Sequence, residues 1–151
     1  MKRILGWALA IIPAVIFVQS LFFKFAGSDE TRIIFETIGT WMADLPLIGA
    51  LAPAFAAYGG VTVGLVELVA AGLLLIPATR RIGALIGLVV ISGAIFFHLG
   101  TPLGVDRVVN AAGDTDGGAL FAMACVVWLC CAATLVLNSR THDEAPQTAA
   151  A

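Results

Sequence analysis

Four stretches of the chain are almost free of polar side chains, and the polar residues gather between them. The first runs from Ile4 to Phe23, behind Lys2 and Arg3, and Lys24 closes it. The second runs from Ala56 to Ile76, the third from Ile82 to Leu99 and the fourth from Gly118 to Leu137. Each has the roughly 20 residues that a helix needs to cross the hydrocarbon core of a bilayer. The pattern predicts an all-α fold, an integral membrane four-helix bundle over residues 1–137, with spans at about 4–24, 56–76, 82–99 and 118–137. The first stretch exceeds the apolar core of a secretory signal, about 7–15 residues. It also lacks a small-residue cleavage site, so it is predicted to stay as a helix.

Only Pro77-Ala78-Thr79-Arg80-Arg81 joins the second and third stretches, which makes them antiparallel neighbours. The link from Ala26 to Phe55 is longer. Within it Ile33, Ile34, Phe35, Ile38, Trp41 and Met42 recur at helical spacing, with Glu36 and Thr37 between them. They predict a short external amphipathic helix, lying on the membrane surface or capping the bundle. Pro46 and Pro53 are expected to break the chain before the second span. Gly100 to Asp116 carries turn-forming residues and is predicted irregular. The polar, Ala-rich segment 138–151 is predicted to be a disordered cytoplasmic tail.

Composition agrees with the pattern. Of 151 residues, 60% are hydrophobic and 12% charged, and the mean hydropathy is +1.02. Such a chain has too few polar side chains to cover a surface facing water. A net charge of −2 and the lack of a basic run leave no field for nucleic acid. Orientation follows from Lys and Arg placement. Lys2, Arg3, Arg80, Arg81 and Arg140 fall on one side of a four-span bundle, against Lys24, Arg32 and Arg107 on the other. Both termini are therefore expected in the cytoplasm.

Glu67 is the most informative residue. It lies near the middle of the second span, where a charge costs several kcal/mol unless it is paired, solvated or protonated. Gly60, Gly64 and Ala71 share its helical face, so Glu67 is expected to point into the bundle. It is either a proton-handling group or a structural carboxyl bonded between helices. His98 ends the third span on a face with Gly83, Gly87 and Ala94, as a titrating group or an interfacial cap. Lys24 follows Ser20 by one turn. Depth alone is met by snorkelling to the surface, and the alternative is an inward bend toward Glu67 or a ligand. Gln19 lies deeper and would extend a polar path, but it sits about 140° around the helix from Lys24, so the two cannot point the same way.

Other residues carry less. Cys125, Cys130 and Cys131 lack a C-x-x-C spacing and read as small packing residues. No metal site is expected, because no second ligand stands at helical spacing from His98 and His142 lies in the opposite tail. Gly60–Gly64 and Gly83–Gly87 are small-xxx-small pairs that favour close helix packing and allow a homodimer.

The run Gly64-Leu-Val-Glu-Leu-Val-Ala-Ala-Gly-Leu-Leu-Leu-Ile-Pro-Ala-Thr-Arg-Arg-Ile-Gly-Ala-Leu-Ile-Gly87 resembles the DoxX family of four-helix bacterial membrane proteins. Phe17-Val-Gln-Ser-Leu-Phe-Phe-Lys24-Phe resembles its first-helix motif, and Ala94-Ile-Phe-Phe-His98-Leu the ending of its third helix. The likeness covers about residues 4 to 100 and places Lys24, Glu67 and His98 at motif positions. Ser20 stands where many members have glycine, and the fourth span matches only in hydrophobicity. The resemblance implies a multi-pass protein of the bacterial inner (plasma) membrane. Some relatives are linked to quinone-dependent sulfur oxidation or redox complexes, and others act as assembly factors or cargo receptors.

The expected function is a redox-linked subunit, an oxidoreductase-associated protein surrounded by membrane lipid. A quinone-like or other small amphipathic ligand would meet Lys24, Ser20, Gln19 and His98, and Glu67 would accept or relay a proton. Glu67 and His98 are the candidate catalytic groups. No flavin, haem, iron–sulfur or dinucleotide motif is present, so no cofactor is intrinsic and electrons would come from a redox partner protein or a diffusible substrate. A non-catalytic adaptor or assembly factor is the alternative. A small-molecule permease is less favoured, because four spans without broken helices or an inverted repeat seldom form an alternating-access path.

Overall fold

The computed structural model describes residues 2–143, with side chains described for residues 3–137. The described chain is helical: α1 (Lys2–Phe25), α2 (Asp29–Ala43), a 3₁₀ turn (Gly49–Leu51), α3 (Ala52–Leu75), α4 (Arg80–Gly100) and α5 (Ala119–Asp143). Four segments are long and apolar enough to cross a membrane: Arg3–Phe25, Gly49–Leu75, Arg80–Gly100 and Ala119–Leu137. Phe22, Leu65, Val89 and Leu129 stand exposed along them, the lipid-facing exterior of a multi-pass membrane protein.

The four spanning helices form a ring. α1 packs on α3 and α5, and α4 packs on the same two, so α1 and α4 face each other across the bundle. Phe17, Leu74, Ile91, Val127 and Cys131 fill its core, with alanines between them. Glycine sets the closest approaches. A Cβ on Gly83 would stand 2.6 Å from the Leu74 backbone nitrogen, so α4 starts against bare α3 backbone. The connecting turn is held by side chains. Thr79 Oγ1 donates to the Leu73 carbonyl at 3.0 Å and Arg80 Nε to the Leu74 carbonyl at 2.9 Å, which satisfies carbonyls that the helix end leaves open. The Arg80 guanidinium also lies 4.4 Å over the Trp7 ring.

α2 continues α1 after a break. Gly27, at φ +61°, turns the chain, and the Ser28 hydroxyl accepts the Thr31 backbone N–H to start the new helix. Thr31 lies against Gly60, Phe35 against Gly59 and Gly39 against Ala56, so α2 runs antiparallel along the first half of α3. It caps the bundle through Ile38 and Met42, under an aromatic cluster of Phe35, Phe55, Phe97 and Trp41.

Two boundaries differ from the sequence reading. α3 starts at Ala52, and Pro53 lies inside its first turn rather than breaking the chain. A proline there loses no hydrogen bond, because the first N–H groups of a helix have no internal acceptor. α5 continues past Asn138 to Asp143, into the segment expected to be disordered, and residues 144–151 of that tail lie outside the described residues.

Candidate functional site

A cavity of about 450 Å³ lies inside the ring beneath α2. Its floor is apolar, with Phe17, Ile91 and Val127, and its polar wall carries Ser20, Lys24, Glu67 and His98. Gln19, Phe23 and Val89 also line it and are exposed, so the cavity communicates with the outside of the bundle.

Glu67 is 5% exposed and points inward. Its face carries Gly60 and Gly64, and α1 packs on Gly64: a Cβ there would crowd the Phe25 ring, 2.9 Å from Cε1, and would touch Leu21 Cδ2 and Lys24 Cδ at ordinary contact distances of 3.4 and 3.5 Å. Lys24 bends in rather than snorkelling. Its Nζ lies 2.5 Å from Glu67 Oε2 and 3.1 Å from Ser20 Oγ. The Ser20 hydroxyl lies 2.7 Å from both Glu67 Oε2 and the Phe17 carbonyl, and its single proton serves one at a time. A buried charge is thus matched by a cation and a hydroxyl from one turn of α1.

His98 is 6% exposed at the end of α4. Gly104, at φ +73°, turns the following loop so that its carbonyl lies 2.7 Å from His98 Nδ1. The ring meets Phe121 edge-on at 5.7 Å between centroids. Gln19 and Lys24, about 140° apart around α1, both line the cavity. Gln19 is at its exposed rim and Lys24 is within. The glycines Gly60, Gly64, Gly83 and Gly87 are buried inside the protomer against α2, α1, α3 and the Phe17–Cys131 contact. Cys130 and Cys131 are buried free thiols, and Cys125 is half-buried.

A second ionic cluster has no counterpart in the sequence reading. Arg107, in the α4–α5 loop, is 2% exposed. Its Nη2 pairs with Glu30, which lines the cavity from α2, and lies 3.6 Å from Asp116 Oδ2. Its Nε and Nη1 have no partner among the described residues. Asp116 caps α5, accepting the backbone N–H groups of Gly118 at 3.0 Å and Leu120 at 3.1 Å. Burial pushes its carboxyl up, but the Leu120 and Gly118 N–H groups and the Arg107 charge outweigh burial and hold it below the ordinary carboxylate range. The only sequence signal was a lone arginine in a loop of acids and glycines.

Comparison with protein-family models, with curated proteins and with solved structures finds no match to this chain.

Proposed function

We propose that the chain is a DoxX-like, redox-linked membrane subunit that binds a quinone-like or other small amphipathic molecule in the cavity. The cavity carries this reading. Its volume of about 450 Å³ lies within the range of small-molecule sites. It is also built like one, with an apolar floor and a few convergent polar groups. Lys24 and His98 hold the polar head, and Glu67 accepts or relays a proton. The ligand reaches the cavity from lipid past Gln19 and Phe23. Electrons come from a partner protein or a diffusible substrate. The Lys and Arg bias supports cytoplasmic termini with α2 on the external side, and the DoxX resemblance supports a bacterial inner membrane.

One observation favours the adaptor reading. Lys24 and Ser20 already bond Glu67 Oε2, so the acid also serves as a link between α1 and α3. Mass spectrometry of gently purified protein separates the two. A co-purifying lipid-like molecule with a polar head, changed in amount or identity in Glu67→Gln, supports the ligand site. A stoichiometric partner protein with no such molecule moves the assignment to an adaptor.

A further inference from the structure

Three polar groups on the cavity wall keep hydrogen-bonding capacity that the protein does not use. Glu67 gives Oε2 to both Lys24 and Ser20, while Oε1 has no partner among the described residues and is not sealed off from the cavity. His98 Nδ1 meets a carbonyl, which can only accept, so Nδ1 carries the proton. When the ring is neutral this leaves Nε2 as a lone-pair acceptor, and no described residue donates to it. Lys24 has three N–H donors, of which Glu67 and Ser20 take two. Glu67, His98 and Lys24 together therefore offer two acceptors and one donor to the cavity, whose other polar lining residues are Gln19, Ser20, Glu30 and Thr31.

We infer that the cavity selects a ligand whose head carries free hydroxyl groups, an aromatic diol in preference to the corresponding dione. This rests on the cavity being a ligand site, as proposed above. A hydroxyl donates to Glu67 Oε1 or His98 Nε2 and still accepts from Lys24. Of these three groups a carbonyl oxygen can pair only with Lys24, and it sets its lone pairs against the two acceptors, which binding has stripped of water. Anionic heads are disfavoured by the Glu67 carboxylate. His98 and Glu67 are then specificity-determining residues, and the Gly104 carbonyl is the positioning group that fixes the His98 tautomer. Each buried acceptor left unpaired weakens binding by about tenfold.

The test uses the full chain in phosphatidylethanolamine–phosphatidylglycerol nanodiscs, titrated calorimetrically without oxygen. Three probes share one alkyl tail: a 1,4-dihydroxybenzene, the matching benzoquinone and the dimethyl ether of the diol. The diol binds tighter than either by about tenfold or more. Equal affinities for the three overturn the inference and leave the ligand site standing, whereas no binding by any of them overturns both. In Glu67→Gln the amide oxygen stays with Lys24 and Ser20 and the amide nitrogen turns a donor to the cavity, so the preference shifts toward the dione. An unchanged diol preference in that variant removes Glu67 as a selecting group. His98→Asn, which keeps a donor for the Gly104 carbonyl and lacks Nε2, gives a second variant and loses part of the diol preference. An undiminished preference there removes His98.

Discussion

Lys24 Nζ and Glu67 Oε2, from residues 43 positions apart, meet at 2.5 Å at the edge of a cavity, between helices packed together at Gly64. The pair joins the two halves of the site. It fixes α1 against α3 and holds the Glu67 carboxylate so that its second oxygen faces the cavity.

That pairing predicts a non-additive mutant series. Lys24 and Glu67 have side chains 16% and 6% exposed, so removing one leaves the other charged and largely buried. Such a loss costs about 3–5 kcal/mol, whereas replacing both partners by apolar side chains is often near neutral. Lys24→Met and Glu67→Leu each lower the thermal midpoint in detergent, followed by circular dichroism, and the double variant recovers most of the loss. A double variant as unstable as the sum of the singles would show that the two residues are not coupled.

The glycines predict opposite effects of one substitution. Gly83→Ala sets a methyl 2.6 Å from the Leu74 nitrogen and 2.9 Å from the Ala70 carbonyl oxygen, backbone atoms that cannot turn aside. Overpacking of this kind costs about 1–3 kcal/mol. At Gly72 a Cβ meets nothing within 4 Å, and the φ is helical, so Gly72→Ala gains up to about 1 kcal/mol of helix propensity. Thermal midpoints of the two variants should fall on opposite sides of the parent protein.

The spans, the tight turn and the inward aim of Glu67 were legible in the sequence, because each rests on local periodicity or on neighbours three and four positions away. The direction of Lys24 was not. Depth along α1 is equally compatible with snorkelling and with an inward bend, and Glu67, on another helix, decides between them. The Arg107–Glu30 pair was illegible for a similar reason: its partners stand 77 positions apart, and neither has a patterned neighbourhood. The cavity is a property of five packed helices together, so no single periodicity records it.

Asp116 predicts an acid limb in stability. Its folded-state carboxyl titrates below the ordinary value, so its contribution is complete above the unfolded value of about 3.9 and is lost as pH falls through the lower folded value. The thermal midpoint should therefore decline below about pH 4. In Asp116→Asn the midpoint is lower at neutral pH, and the acid decline is shallower because one titrating cap is gone. Melting curves of the two proteins that stay parallel through this range would exclude Asp116 as a contributor.

Filling the cavity separates binding from folding. Ala94 lines it from α4 on the same helix as His98, and it is half-buried, so a larger apolar side chain there has space to enter. Ala94→Leu adds three carbons to a region now without protein atoms, which keeps or raises the thermal midpoint while it occupies the volume needed by a ligand tail. Ala94→Val gives a graded, weaker effect. If the site is a ligand cavity, diol affinity in nanodiscs falls in the order alanine, valine, leucine, with the Lys24–Glu67 pair left intact. Unchanged affinity in a stable Ala94→Leu protein would place the bound molecule elsewhere on the bundle.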